Sequence, residues 1–291
     1  MTTRHIVVAL SVSWVAAACG DVNGALHRLA EARQRTADLQ VSFANAVDAS
    51  NRAVMADTDE ASVKYAQEAD AAKQAVRGDI TALHALFDQL GYSDENRIVH
   101  EFEDHFTAYA KVDTQILELA VENTNLKAQR LSFGPGQAAA DALRDSLAAL
   151  APAQAARDDW RLKATAATAL AAVREIQALQ APHIADPDDA SMAKTEARMK
   201  EAETIARNAA AALAPLVGSS SRPMVAAATD ALDRFMDVNA QVVALSHRNT
   251  NVRSLALALN EKPTLVAPCD QTLRTLADAL AHRGYPKGRW D

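Results

Sequence analysis

The sequence predicts an all-α protein built from two similar halves, and three observations carry that expectation. The first is an internal repeat. Glu122-Asn123-Thr124-Asn125-Leu126-Lys127 returns as Arg248-Asn249-Thr250-Asn251-Val252-Arg253, and Ala56-Asp57-Thr58-Asp59-Glu60-Ala61-Ser62 returns in the same order as Ala185-Asp186-Pro187-Asp188-Asp189-Ala190-Ser191. Two echoes at nearly one offset indicate tandem copies of one module. The second is composition: of 291 residues, 49% are hydrophobic yet only 4% aromatic, with 9 Gly and 9 Pro. Ala, Leu, Glu, Gln, Lys and Arg favour helix, and the β-branched and aromatic runs of strands are missing. The third is apolar spacing of three and four residues along most of the chain.

Each element follows from that spacing. The first helix runs from about Asn23 to Met55 on Leu26, Leu29, Thr36, Leu39, Phe43, Val47, Ser50 and Val54. The acidic turn at Asp57-Thr58-Asp59 supplies capping chemistry for a helix from about Asp59 to Leu90, which Gly91 ends. A third helix starts at Ser93-Asp94-Glu95 and carries Val99, Phe102, Phe106, Tyr109, Val112, Ile116, Leu119, Asn123 and Leu126, stopping at Gly134-Pro135-Gly136. A fourth occupies about Gln137 to Leu150. The second copy repeats the plan over about 153–180, 188–217, 222–259 and 264–283. Short connections favour antiparallel neighbours. The expected architecture is two tandem antiparallel four-helix bundles stacked end to end, over 20–150 and 151–283, with a tail at 284–291. A long helix kinked near Pro152 is able to join them. Trp160 is expected in a core or at the junction.

Residues 1–19 read as a signal sequence outside the fold. Arg4 and His5 precede an apolar run, Ile6 to Val15, and then Ala16-Ala17-Ala18-Cys19. That run is shorter than the about 20 residues a membrane-spanning helix needs. Two outcomes stand: cleavage that releases a soluble protein, or a bacterial-type lipobox in which Cys19 takes a lipid and anchors the protein to a membrane. Gly20 in place of Asp points to the outer membrane. Cys269 then has no disulfide partner and is expected as a small buried residue.

The formal net charge is −7 with both signs interspersed. No basic stripe is present, which argues against nucleic-acid binding. No paired acids, activated nucleophile or phosphate loop is visible, so no catalytic residue, cofactor or enzymatic activity is expected.

The segments Ile116 to Gly134 and Leu245 to Leu257 resemble the last long helix of the four-helix-bundle sensor domain of methyl-accepting chemotaxis receptors, and the acidic turn at Asp57-Thr58-Asp59 resembles that family's turn between its first two helices. The resemblance spans residues 21 to 283 and implies a sensor-like module. The receptors' second transmembrane helix and signalling coiled coil have no counterpart here. The partners it implies are a small organic acid or amino acid, or an envelope protein, with homodimerisation. The place is the periplasm.

Asn123 and Asn249 fall in phase with the apolar stripe at matched positions. One reading makes them register-fixing residues across a bundle; the other makes them the polar floor of a ligand site. In that case Asn125, Lys127, Arg130, Asn251 and Arg253 are the flanking donors, since Arg suits carboxylates. A metal alternative rests on His100-Glu101-Phe102-Glu103-Asp104-His105, where His100 with Asp104, and Glu101 with His105, are four apart on a helix face.

Overall fold

A computed structural model describes the backbone of residues 7–150 and 160–283, and side chains from Gly24 onward within those ranges. The side chain of Cys19, the start of the apolar run, Pro152 and the tail lie outside the described residues. Among the described residues ten α-helices make up the fold: α1 (Val7–Val54), α2 (Asp59–Leu90), α3 (Ser93–Glu122), α4 (Thr124–Leu131), α5 (Gln137–Ala148), α6 (Trp160–Ala185), α7 (Asp189–Leu213), α8 (Arg222–Arg248), α9 (Thr250–Asn260) and α10 (Lys262–His282). Among the described residues there is no strand. The all-α expectation holds. No helix among the described residues is long and apolar enough to cross a membrane.

The acidic turns act as the sequence indicates. The Thr58 hydroxyl accepts from the Ala61 N–H at 3.1 Å, with Asp59 and Glu60 in the first turn of α2. Asp188 does the same for α7, accepting from the Ser191 N–H at 2.8 Å. Each side chain satisfies a donor that has no partner inside the helix. Gly91 ends α2 with φ 67°, a left-handed turn that glycine adopts without steric cost.

Two compact units form, and they divide the chain differently from the expected 20–150 and 151–283. One unit is Met1–Val121 with Leu255–Asp291; the other is Glu122–Ser254, inserted within it. The core of unit 1 joins Leu39 and Phe43 of α1, Val76, Ile80, Leu83 and Phe87 of α2, Phe102, Phe106 and Tyr109 of α3, and Cys269, Leu273 and Leu276 of α10. Phe43 meets Phe102, Phe106 and Tyr109 edge-on, with centroids 5.9, 6.3 and 5.2 Å away. The core of unit 2 joins Leu143 and Leu147 of α5, Val173 and Ile176 of α6, Met199 and Leu213 of α7, and Leu232 and Phe235 of α8. Each copy's fourth helix therefore completes the other copy's bundle.

The reason lies in two local features. The third helix of the first copy does not run unbroken to Gly134. It is interrupted at Asn123, and its counterpart at Asn249, both left-handed with φ 50°. Gly134-Pro135-Gly136 does not stop the chain either. Ser132–Gly136 forms one π-helical turn that leads straight into α5. A wider turn accommodates Pro135, which has no N–H to give. Gly136 permits the close approach of α8, since a Cβ there would lie 3.5 Å from Val238 Cγ1 and 3.1 Å from the Leu131 carbonyl. The chain thus carries its fourth helix onward instead of folding it back.

Two further expectations change. Trp160 is 69% exposed, not a core residue. Helix α6 passes through Pro182 and ends at Ala185. Cys269 is buried as expected, and desolvation pushes its thiol up to about 12.

Unit 1 contains a buried ionic cluster that apolar spacing gives no hint of. Asp113 is fully buried on α3. Lys73 of α2 reaches its Oδ2 at 2.8 Å, Lys262 of α10 lies 3.4 Å from its Oδ1, and the Tyr109 hydroxyl donates to Oδ1 at 3.2 Å. Lys262 also donates to the Ser50 hydroxyl at 2.6 Å and to Asn51 Oδ1 at 3.0 Å. Burial lowers the Lys262 pKa, and Asp113 acts in the opposite direction.

Candidate functional site

The repeated Asn-Thr-Asn segments meet inside unit 2 and form a reciprocal knot. After each left-handed Asn a new helix starts, and its first N–H groups have no partner within it. The Thr124 N–H donates to Thr250 Oγ1 at 3.1 Å, and the Thr250 N–H donates to Thr124 Oγ1 at 3.1 Å. The Asn125 N–H donates to Asn251 Oδ1, and the Asn251 N–H to Asn125 Oδ1, each at 3.1 Å. Each copy caps the other's helix. The amides are tied down in turn. Asn125 Nδ2 donates to Asn249 Oδ1 at 2.8 Å, and Asn251 Nδ2 to Asn123 Oδ1 at 2.8 Å. Two carbonyls outside the motif also accept: Ile184 from Asn125 at 2.6 Å and Asp186 from Asn249 at 2.7 Å, while Asn123 Nδ2 is buried without a hydrogen-bond partner. Asn tolerates the left-handed region better than most residues, because its short amide bonds locally.

This geometry corrects the ligand-site expectation. Asn123, Asn125, Asn249 and Asn251 do come together, but their amides bond one another and line neither of the grooves described below. Lys127 caps the Glu122 carbonyl at 2.7 Å. Arg130 and Arg253 are exposed and line neither groove. The motif builds a junction between the two copies.

The open site of unit 2 is a groove of about 420 Å³ between α7 and α8. Met199, Met236 and Val243 form its apolar floor, and Glu196, Lys200, Glu203, Arg207, Asp237 and Asn239 form its polar walls. Glu203 accepts from Arg207 at 2.8 Å and from Lys200 at 3.0 Å. The Arg207 hydrogen bond holds the Glu203 carboxyl below its usual range, against a smaller opposing effect of burial. Arg207 also donates to Asp233 at 2.6 Å. Asn239 is fixed from behind: Gln180 Nε2 donates to its Oδ1 at 2.8 Å, and Ser132 donates to Gln180 Oε1 at 2.7 Å.

At one end of the groove two imidazoles share one carboxylate oxygen. His183 Nε2 lies 2.8 Å and His247 Nε2 2.6 Å from Glu196 Oε1, with the rings edge-on at 5.7 Å. His183 Nε2 makes a hydrogen bond to this oxygen, and His247 Nε2 stands against the same oxygen as an ion-pair contact. His183 is fully buried, and its Nδ1 has no hydrogen-bond partner. The three ligand atoms lie within 4.8 Å of one another, but both nitrogens stand directly against the carboxylate oxygen, at 2.8 and 2.6 Å, which leaves no room for an ion between them.

No family model and no curated protein matches this chain. The groove is therefore read from its own chemistry. It offers carboxylates, an ammonium and an amide around thioether and aliphatic carbons. Its walls contain neither a Ser nor a Cys nucleophile, and its one histidine pair faces a carboxylate.

The metal expectation for unit 1 also changes. His105 Nε2 stands 3.9 Å from Glu101 Oε1 on an open helix face. Asp104 is exposed and does not pair with His100. His100 instead faces Glu103, Nδ1 to Oε2 at 3.7 Å, and Glu103 Oε2 lies 3.5 Å from Nε2 of His84. His84, His183, Glu196 and His247 carried no signal in the sequence. They come from separate helices, so no spacing rule joins them.

Proposed function

We propose that the protein is an exported, non-enzymatic sensor-like module that binds an amino acid in the groove of unit 2. The single observation that carries this reading is the composition of that groove, with both charge signs above an apolar floor. Its volume of about 420 Å³ falls within the range of small-molecule sites. Asp237 and Glu196 suit an ammonium group, Lys200 suits a carboxylate, and Met199 and Met236 suit an aliphatic side chain. Polarizable, flexible thioethers adapt to varied apolar shapes.

Export and lipid attachment at Cys19 rest on the Ala16-Ala17-Ala18-Cys19 pattern, which supports a place in the bacterial cell envelope. The resemblance of the Asn123 and Asn249 helices to receptor sensor helices supports the same reading. The mixed-charge walls favour an amino acid over a simple organic acid. A second copy of the chain and an envelope protein are the natural partners for passing on an occupancy signal.

The test is calorimetric titration with a panel of amino acids and organic acids, repeated with Met236→Trp. The expected result is saturable binding of one or more amino acids, lost by at least tenfold when the indole fills the groove. Absence of binding by every member at millimolar concentration, or binding unchanged in Met236→Trp, contradicts the proposal.

A further inference from the structure

We propose that His84, His100 and Glu103 of unit 1 form a site for a divalent transition-metal ion of the zinc type, a site separate from the unit 2 groove. The spacing of the three ligand atoms is the first argument. Glu103 Oε2 lies 3.5 Å from His84 Nε2 and 3.7 Å from His100 Nδ1. All three ligand atoms lie within 4.8 Å of one another. These separations are too long for hydrogen bonds. They match the edge of a coordination tetrahedron, about 3.4 Å for ligands held about 2.1 Å from zinc. The His183–Glu196–His247 set has the same composition, but its 2.8 and 2.6 Å separations lack that space.

The second argument is the support behind His84. Asn96 Nδ2 donates to Asp88 Oδ1 at 2.8 Å. A carboxylate only accepts there, so the Asn96 amide has one orientation and its Oδ1 faces His84 Nδ1. His84 Nδ1 must then carry the proton it donates. Nε2 is left as the ring's ligand atom, and it is buried without a hydrogen-bond partner. Metal-bound histidines characteristically donate their other N–H to a fixed acceptor in this way. Asp88–Asn96–His84 is such a chain.

The local fold explains the convergence. Gly91 reverses the chain between α2 and α3, which sets His84 beside the first turns of α3. His100 and Glu103 are one turn apart on α3 and point to the same side. The His84 and His100 rings stand tilted with centroids 4.1 Å apart. His100 and Glu103 are both exposed, and a groove at the same helix ends is lined by Asn96 and His100, so the site lies at the surface within reach of water. Two imidazoles, one carboxylate and water suit Zn²⁺, and also Co²⁺ as its spectroscopic substitute.

The experiment is titration of the chelator-treated full chain with Co²⁺ and Zn²⁺, read by visible absorption and by bound metal per chain. Wild-type protein is expected to bind Co²⁺ with the intense bands of low coordination number, displaced by Zn²⁺. His100→Ala and Glu103→Gln, both at exposed positions, should each remove one equivalent while the helical circular dichroism stays unchanged. Asn96→Ala should weaken binding by about 10-fold to 100-fold. His183→Ala should leave this equivalent in place. Absence of saturable binding, retention of full stoichiometry in His100→Ala, or loss of this equivalent in His183→Ala overturns the assignment.

Discussion

Replacing Asp113 with Ala is expected to unfold unit 1 or leave it barely stable. Asp113 is fully buried between Lys73 and Lys262, whose side chains are themselves only 4% and 3% exposed. Its carboxylate is what makes two buried ammonium groups tolerable in one place. Without it they repel each other, Lys262 is left with the neutral oxygens of Ser50 and Asn51, and Lys73 is left with the exposed carboxylate of Asp70. Removing one partner of a buried ionic set typically costs about 3–5 kcal/mol, because the remaining charge stays desolvated. That is a large share of the about 5–15 kcal/mol that stabilises a domain. Chemical denaturation read by circular dichroism measures the loss. The pH dependence has a definite sign. Burial already lowers the Lys262 pKa from 10.5, and losing Asp113 removes the main opposing influence. Over the range between the depressed folded value and 10.5 the unfolded chain binds the extra proton, so stability rises with pH there. Part of the Asp113→Ala deficit should be recovered as pH rises toward 10.5. A variant that loses under 1 kcal/mol, or whose deficit grows over that range, would contradict this account of the cluster.

The second large effect is expected at the knot of unit 2. Asn125→Ala removes the acceptor for the Asn251 N–H and the donor to Asn249 Oδ1 and the Ile184 carbonyl. Each buried polar group left without a partner costs about 1–3 kcal/mol. The expected loss is about 3 kcal/mol on that scale. Asn251→Ala removes two other bonds of the same knot, the acceptor for the Asn125 N–H and the donor to Asn123 Oδ1, so the two side chains are coupled through one shared network rather than through a shared bond. The double variant should therefore cost clearly less than the sum of the two single ones. An additive double-mutant cycle would mean that the two halves of the knot act independently, contrary to the reciprocal bonds.

The helices were legible because their apolar residues recur every three to four positions and their acidic turns carry capping side chains. The duplication was legible because Asn-Thr-Asn returns unchanged. The exchange of fourth helices was not. Leu143 and Leu147 of α5 present the same kind of stripe as Leu273 and Leu276 of α10, and either stripe suits either core. What decides is the backbone at Asn123 and Asn249 and the π turn around Pro135. A polar residue in an otherwise apolar seam hinted at Asn123, but its left-handed φ and its partner Asn251, 128 positions away in the other copy, are facts of three dimensions. Both His–His–Glu sets were hidden for the same reason, since each joins residues from different helices. The local cluster around His100 drew notice only because its residues are consecutive. Its real partner, His84, lies across the turn at Gly91. Lys73, Asp113 and Lys262 escaped because charged residues in helices usually mark solvated faces.

Each copy lends its fourth helix to the other. This exchange is tested most directly by the unfolding of the isolated segment 122–254, followed by circular dichroism and by sedimentation. The inserted unit holds its own core of α5, α6, α7 and α8 and both halves of the knot. A helical monomer with a single cooperative transition is expected, whereas segment 151–283 alone should expose the apolar face that α5 covers and should not fold cooperatively as a monomer. A cooperative monomeric fold for 151–283, with 122–254 unfolded, would contradict it and restore two tandem bundles.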